Sequence, residues 1–154
     1  DVALSQGSEL RIGDHVGTVL EIPGHTLGHI ALHFERAKMA FVGDTLFAMG
    51  CGRLFEGTAQ QMYDSLHRIA DLPEDTKLYC GHEYTLANAR FARHAEPGNS
   101  VIAERLAKVE AMRAAGEITL PTSVAEERAT NPFVRAGSVE EFARLRAEKD
   151  SFRS

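Results

Sequence analysis

Residues 21–30 read EIPGHTLGHI, with two histidines four positions apart and a glycine before each of them. The stretch follows a β-rich run at 16–22, so Gly24 and His25 come where a strand is expected to end. Glycine at such a point lets the backbone turn sharply and approach a bound ion closely. The stretch would suit a metal site only if other ligands lie elsewhere in the chain.

The same arrangement occurs twice more, with a glycine and then a metal-competent side chain after a short apolar run. Gly43 and Asp44 follow MAFV, and Gly81 and His82 follow KLYC. Any one of these side chains alone is better explained as an ordinary surface or core residue. Together, two imidazoles and a carboxylate at strand ends suit Zn²⁺ or another borderline divalent ion.

The remaining histidines are assigned structural positions. We expect His29 to orient the loop or to hydrogen-bond behind His25, without binding a metal ion itself. We place His15 in a turn and His33 on a strand, and we place His67 and His94 on helices.

The chain divides into a strand-rich first half and a helical second half. The first half also contains one helix at 58–71, where Thr58 and Gln61 form a capping box. From about Tyr84 onward the pattern is of helices only, and the helix-averse NPF at 131–133 separates two of them. This predicts an α+β protein.

Composition excludes two classes of partner. The net charge of −5 disfavours a general nucleic-acid or membrane-surface binder, because both need a basic face. No apolar run is long enough to span a bilayer. We interpret Cys51 and Cys80 as reduced thiols of a cytoplasmic protein. Because the chain opens on Asp1 in a polar stretch, we expect it to be a segment of a longer protein.

Seven motifs carry a resemblance to a known family: PGHTLGH at 23–29, GDTLF at 43–47, GCGRLFEGT at 50–58, YCGHEYT at 79–85, and ARHAEPGN, LPTSVAEERATNPF and LRAEKD in the second half. With them the chain resembles the hydroxyacylglutathione hydrolases (glyoxalase II) of the metallo-β-lactamase superfamily. The resemblance implies the second half of an αββα sandwich followed by an all-helical domain. It assigns residues 1–83 to the partial metallo-β-lactamase-like domain and residues 84–154 to a glutathione-binding helical domain.

The resemblance also implies a binuclear metal site with two divalent ions, Zn²⁺ first, with Fe and Mn compatible. By motif position His25 is similar to a ligand of the first ion and His82 to a ligand of the second. Asp44 is similar to the carboxylate that joins both ions, and it would orient the attacking water. The family's remaining ligands lie in a THxHxDH motif, and this sequence contains no HxH. We therefore expect the chain alone to be inactive.

The implied reaction is the hydrolysis of S-2-hydroxyacylglutathione, typically S-D-lactoylglutathione, to glutathione and a 2-hydroxy acid, a step of methylglyoxal detoxification. The residues that would hold the anionic glutathione are Arg53, Tyr84, Arg146 and Lys149. Arg53 stands where many relatives have lysine, and Phe55 replaces a common tyrosine. We expect these two departures to weaken substrate binding without changing the chemistry.

Two alternatives stay open. The chain could be a non-catalytic binder of glutathione conjugates, or it could belong to another superfamily hydrolase or a persulfide dioxygenase with one iron. Retention of His25, Asp44 and His82 argues against a decayed site, and the helical tail with Arg146 and Lys149 argues against the dioxygenase. We expect the missing portion of the sandwich to be supplied by a partner polypeptide, to be disordered, or to be replaced by self-association.

Overall fold

A computed structural model of the chain describes residues 2–153. Within that range lie eight strands: β1 Glu9–Ile12, β2 His15–Glu21, β3 Ile30–Phe34, β4 Met39–Gly43, β5 Leu46–Phe47, β6 Gly50–Cys51, β7 Lys77–Cys80 and β8 Thr122–Ser123. The same range holds six α-helices: α1 Ala59–Ala70, α2 Thr85–Ala95, α3 Ser100–Ala114, α4 Val124–Thr130, α5 Pro132–Arg135 and α6 Val139–Ser151. The predicted α+β class is confirmed.

Six of the strands form one mixed sheet in the order β1-β2-β3-β4-β7-β8. Neighbouring strands are antiparallel except β4 and β7, which run parallel. A parallel pair needs a crossover connection, and α1 lies within the segment that joins β4 to β7. Strands β5 and β6 form a separate hairpin in the same segment. The carboxyl ends of β4 and β7 therefore meet at one edge of the sheet.

Helix α1 forms where the sequence predicts it and for the predicted reason. The side chain of Thr58 accepts a hydrogen bond from the backbone N–H of Gln61, and the Gln61 side chain accepts from the Thr58 N–H. Met62, Leu66 and Ile69 are completely buried on one face of the helix. This face packs into the main core, so the helix covers the inner side of the sheet.

The main hydrophobic core joins the strand-rich and helical halves, beside a smaller cluster of Met49, Ala89, Ala92 and Ile102. It contains Val42 and Leu78 from the sheet together with Phe91, Phe133 and Phe142 from the helices. The three phenylalanine rings contact one another in series, at 5.8 Å between Phe91 and Phe133 and 6.0 Å between Phe133 and Phe142. Because the halves share a core, the helices hold a fixed position relative to the edge of the sheet.

The other face of the sheet carries apolar side chains that face outward. Leu32, Phe41 and Tyr79 are direct partners across β3, β4 and β7 and so lie on the same face. The Phe41 and Tyr79 rings stack at 5.2 Å, and Phe41 remains 44% exposed. An exposed aromatic row at the centre of a sheet is typical of a surface against which another layer packs.

The structure corrects several local expectations. Strand β8 lies inside the second half, which is therefore not purely helical, and it pairs with β7. The NPF segment separates helices as predicted, since α4 ends at Thr130, but it also begins a further short helix: Asn131 caps α5, and Pro132 occupies its first turn, where its missing N–H is harmless. His15 begins β2, whereas a turn was expected; His33, His67 and His94 lie on a strand and two helices as predicted. Over residues 2–153, no helix is long and apolar enough to cross a membrane.

Candidate metal centre and adjoining cavity

The loop after β2 brings His25 to the edge of the sheet by passing closely over α1. Gly24 has φ +153°, and a Cβ on it would lie 2.9 Å from the Cα of Met62. The carbonyl of Gly24 also accepts a hydrogen bond from the N–H of Gly57. A larger residue would push this loop away from the helix, so the glycine predicted at this turn is required by the packing.

Asp44 and His82 reach the same edge from the ends of β4 and β7. Gly43 adopts φ +51°, a left-handed conformation that favours glycine, and its carbonyl accepts from the N–H of Gly81 at 2.9 Å. A Cβ on Gly81 would lie 2.5 Å from Oδ1 of Asp44. The two glycines thus allow the two loops to touch and leave space for the carboxylate between them.

The three predicted ligands converge. Nε2 of His25 lies 3.7 Å from Oδ2 of Asp44, and Nε2 of His82 lies 3.5 Å from Oδ1 of the same carboxylate. Each imidazole therefore faces a different oxygen. Among residues 2–153 no three His, Cys, Asp or Glu side chains form a group that could hold one ion. The arrangement is two histidine–carboxylate pairs that share Asp44.

The tautomer of His25 suits metal binding. Its Nδ1 lies 2.9 Å from the carbonyl oxygen of Arg53, and a carbonyl can only accept, so Nδ1 carries the proton. The lone pair of Nε2 is then directed to the side of Asp44. A ligand histidine that donates its other N–H to a carbonyl is typical of metal sites in proteins. The donor set therefore fits a divalent ion.

His29 has a supporting role, as expected, but its contact differs from the predicted one. Its Nε2 accepts a hydrogen bond from the backbone N–H of Asp44 at 3.0 Å, and its Nδ1 lies 3.3 Å from Oγ1 of Thr26. The His29 and His25 rings meet edge to face at 5.9 Å without a hydrogen bond. Burial, and then the neighbouring His25, lowers the pKa of His29, which keeps the ring neutral and able to accept.

A cavity of about 580 Å³ opens beside these ligands. All seven predicted site residues line it: His25, Asp44, His82, Arg53, Tyr84, Arg146 and Lys149. The lining also includes Phe47, Cys51, Phe55, Asn88, Asp150, Phe152 and Arg153. The strand-end loops supply one wall and α6 supplies the other. The volume lies in the range of small-molecule sites.

Lys149 presents a partly desolvated cation to the cavity. Its Nζ lies 5.5 Å from the ring centre of Phe91 and 5.8 Å from that of Phe152, and it donates to the carbonyl of Ala87. Burial lowers the pKa of Lys149, and the charge of Arg146 adds to the effect. A cation with little water around it binds a carboxylate more strongly than a fully solvated one does.

Arg146 is 6% exposed, and two of its nitrogens already have partners. It donates to the carbonyl of Cys51 at 2.7 Å and to Oδ1 of Asp150 at 3.0 Å. Its guanidinium lies 5.2 Å from the ring centre of Phe133, and its buried Nε has no partner within residues 2–153. Arg146 thus braces the cavity wall, while Lys149 and Arg53 are the more accessible cations.

Aromatic rings flank both histidines. Tyr84 stacks on His82 at 4.8 Å, and Phe47 meets Tyr84 edge to face at 5.2 Å. The ring of Phe55 lies 4.8 Å from that of His25 and is 68% exposed. Phe55 therefore lies at the cavity mouth, where a tyrosine hydroxyl would have been available to a ligand.

Sequence reasoning left some lining residues unassigned. Asp150 could have been found from its spacing, because it follows Arg146 by one helical turn and pairs with it. Asn88 gives no such signal within YTLANARFARHA. Burial raises the pKa of Cys51 to about 11, so its thiol stays protonated, and Cys51 and Cys80 are both free cysteines.

Comparisons with known proteins follow the same division of the chain. Residues 1–82 match a model of the metallo-β-lactamase superfamily, and residues 83–152 match a model of the hydroxyacylglutathione hydrolase C-terminus. The chain is 51% identical to the hydroxyacylglutathione hydrolase of Methylococcus capsulatus, over 99% of the chain and 65% of the relative. It is 53% identical to that of Acidiphilium cryptum, over 99% and 62%. The chain thus spans about two thirds, or slightly less, of these relatives.

Solved structures give the same fold. ETHE1 from Myxococcus xanthus superposes with a TM-score of 0.69 at 32% identity, over 99% of this chain and 54% of that one. TTHA1623, solved in a di-iron-bound form, superposes with a TM-score of 0.54 at 25% identity, over 84% and 46%.

Proposed function

Because the chain belongs to the metallo-β-lactamase superfamily and its helical part matches the hydroxyacylglutathione hydrolase C-terminus, we propose that it is the metal- and glutathione-binding portion of a hydroxyacylglutathione hydrolase. The proposed reaction is hydrolysis of S-D-lactoylglutathione or a related 2-hydroxyacyl thioester to glutathione and the 2-hydroxy acid. The observation that supports this best is the shared cavity: the histidine–carboxylate pairs form one wall, and cations of the helical half form the other.

We propose His25 and Asp44 as ligands of one divalent ion and Asp44 and His82 as ligands of a second. Imidazole nitrogen and carboxylate oxygen suit Zn²⁺, Fe and Mn, and we favour Zn²⁺. The chemistry that such ions supply is a water nucleophile at neutral pH and polarisation of the thioester carbonyl. Each oxygen of Asp44 lies near a different histidine, and the backbone of Asp44 is held by His29.

We propose that Lys149 and Arg53 bind the carboxylates of glutathione and that Tyr84 contributes its hydroxyl. Lys149 is the strongest candidate, because its charge is partly desolvated and faces the cavity. We keep Arg146 in the binding set, since it lines the cavity and its Nε has no partner within residues 2–153. Holding both ends of the tripeptide would fix the thioester beside Asp44.

The division into residues 1–83 and 84–154, with the second part binding glutathione, is part of this proposal. So is the inactivity of the isolated chain. Each proposed ion has one imidazole and one carboxylate here, whereas a catalytic zinc ordinarily has three protein ligands. The ligand set is then completed by residues outside this sequence, which has no HxH motif.

The test is a pair of proteins assayed for thiol release from S-D-lactoylglutathione, with Zn²⁺ added and EDTA as control. One is the 154-residue chain, for which no turnover is expected. The other is the same chain preceded by the THxHxDH-bearing segment of a hydroxyacylglutathione hydrolase, for which EDTA-sensitive turnover is expected. Asp44→Asn in the longer protein should lower the rate by more than about 100-fold, because losing a residue that merely orients a metal ligand already costs up to that factor.

The outcomes separate the remaining functions. A folded longer protein that binds S-hexylglutathione but releases no thiol would favour a non-catalytic glutathione-conjugate binder. A folded longer protein that neither binds nor hydrolyses the conjugates would contradict the proposal. Turnover by the 154-residue chain alone would contradict its predicted inactivity.

A further inference from the structure

The turn between β5 and β6 is unusual. It passes from Phe47 through Ala48 and Met49 to Gly50. Met49 has φ +59° although it is not glycine, and its side chain is completely buried. A left-handed conformation is unfavourable for such a residue and persists only where the surroundings hold it. The contacts on both sides of the turn account for this conformation and connect it to the histidines.

Three side chains from the helical half bind the backbone of the turn, and we call them the turn clamp: Asn88, Glu127 and Asn131. Nδ2 of Asn88 donates to the carbonyl of Ala48, and Oε2 of Glu127 accepts from the N–H of Met49 at 2.9 Å. Nδ2 of Asn131 donates its two hydrogens to the carbonyl of Gly50 at 2.9 Å and to Glu127 at 2.8 Å, with the carbonyl of Phe47 3.3 Å away. The backbone groups of a buried turn are thus paired by residues that lie far away in sequence.

The carboxylate of Glu127 is fixed in turn. The residue is 1% exposed, and its oxygens accept from Arg105 at 2.8 Å, from Thr122 at 2.7 Å and from Asn131 at 2.8 Å. A buried carboxylate with this many charged and polar donors has one orientation. The position of the Met49 N–H is therefore set by helices α3 and α4 and by strand β8.

On one side the turn reaches His82. The ring of Phe47 lies 6.0 Å from the ring of His82 and 5.2 Å from the ring of Tyr84, which stacks on His82. Because Asn88 and Asn131 bind the carbonyls of Ala48 and Gly50 in the turn that follows Phe47, a shift of the turn would move the ring that packs behind His82.

On the other side the turn reaches His25. The N–H of Gly52 donates to the carbonyl of Thr45 at 3.1 Å, which ties the segment after β6 to the loop that carries Asp44. The next carbonyl, that of Arg53, accepts from Nδ1 of His25 and fixes its tautomer. A shift of the turn would therefore also displace the acceptor that keeps the proton on Nδ1 of His25 and leaves its Nε2 free.

We infer that Glu127 and Asn131 are positioning residues for the candidate metal centre, because through the Phe47–Gly50 turn they set the orientation of both His25 and His82. The inference rests on the proposed metal centre but concerns the geometry of the free side chains. The helical half thus has a second task besides lining the cavity: it holds the histidines in place.

The test compares Asn131→Ser with Asn99→Ser in the metal-free 154-residue chain at pH 8. Asn131 and Asn99 both cap a helix through Oδ1, and serine retains a capping oxygen at either position. Only Asn131→Ser removes donors to the turn. The readouts are the ¹⁵N shifts of the imidazole nitrogens, which report the tautomer, and hydrogen exchange of the Met49 amide.

We expect the wild-type chain and Asn99→Ser to hold His25 in the Nδ1-protonated form. Asn131→Ser should populate both tautomers of His25 and exchange the Met49 amide about tenfold faster, the cost of one or two neutral hydrogen bonds. A folded Asn131→Ser chain with the wild-type tautomer and exchange rate would overturn the inference. If circular dichroism shows Asn131→Ser to be unfolded, Asn88→Ser, which removes one bond to the same turn, decides by the same two readouts. If the tautomers and exchange rates are as expected but the longer protein releases no thiol, the hydrolase proposal is rejected and this inference stands.

Discussion

Nε2 of His29 accepts a hydrogen bond from the backbone N–H of Asp44 at 3.0 Å. A histidine that belongs to the most recognisable motif in the chain thus acts on the neighbouring loop through its backbone, with no contact to the shared carboxylate. The glycine before Asp44 makes this approach possible, because a Cβ on Gly43 would lie 2.4 Å from Nε2 of His29. This acceptor helps to hold the Asp44 loop, together with the bond from the Gly81 N–H to the Gly43 carbonyl.

His29→Ala should therefore destabilise the chain even without metal. The Asp44 N–H would lose its acceptor in a half-buried site, which costs about 1–3 kcal/mol of the free energy of unfolding. Urea unfolding of the metal-free chain measures it. His15→Ala, at an exposed position on β2, is the control and should change little. Equal stability of the two variants would show that the His29 contact contributes nothing.

His33 should make stability depend on pH. Burial lowers the pKa of His33, with Glu35 opposing, so the unfolded chain takes up a proton before the folded chain does. Stability therefore falls as pH drops below the usual histidine value of about 6.5, until the lowered folded pKa is reached. His33→Leu should reduce the loss of unfolding free energy between pH 7.5 and 5.5, measured by urea unfolding at both pH values. His29 accounts for the rest of that loss. A variant with the full wild-type slope would exclude His33 as its source.

Gly52→Ala tests the close approach of two loops. A Cβ at this position would lie 2.0 Å from the carbonyl oxygen of Asp44, a backbone atom that cannot move without its loop. In the longer protein that carries the THxHxDH segment, we expect thiol release to fall by about 100-fold, since small displacements of catalytic groups have effects of this size. Gly98→Ala, where a Cβ would meet nothing within 4 Å, should retain activity.

Lys149→Ala should weaken binding of S-hexylglutathione by about 10–100-fold, the range expected for a hydrogen bond to a charged group. Isothermal titration of the 154-residue chain measures the dissociation constant. Lys108→Ala removes a lysine from α3, outside the cavity, and is the matched control. If both variants bind as the wild type does, glutathione is not held by the α6 cation.

The sequence predicted the main elements because their signals are local. Thr58 with Gln61, and the buried spacing of Met62, Leu66 and Ile69, determine α1 without help from the rest of the chain. The three glycine–ligand pairs likewise follow strands, namely β2, β4 and β7. The structure brings the three side chains together around Asp44, while their roles as ligands stay predictions.

The elements that were missed depend on distant partners. Strand β8 has only two residues, too few for any periodicity, and exists because β7 offers an edge. Glu127 lies in a charged run, AEERAT, that is typical of a solvated helix face; its burial follows from donors on Arg105, Thr122 and the Met49 turn. Arg146 similarly has the spacing of an exposed clamp, yet it is buried against the carbonyl of Cys51.

These long-range contacts determine the order in which parts of the chain can fold during synthesis on the ribosome. The bond from Arg146 to the Cys51 carbonyl spans 95 positions, and the one from Asn131 to the Gly50 carbonyl spans 81. At roughly 5–20 residues per second, the turn would wait about 5–20 s for the helices that fasten it. During that interval the helices do not yet hold the turn that orients His25 and His82. These two histidines therefore leave the ribosome before the helices but reach their final arrangement only after the helices are made.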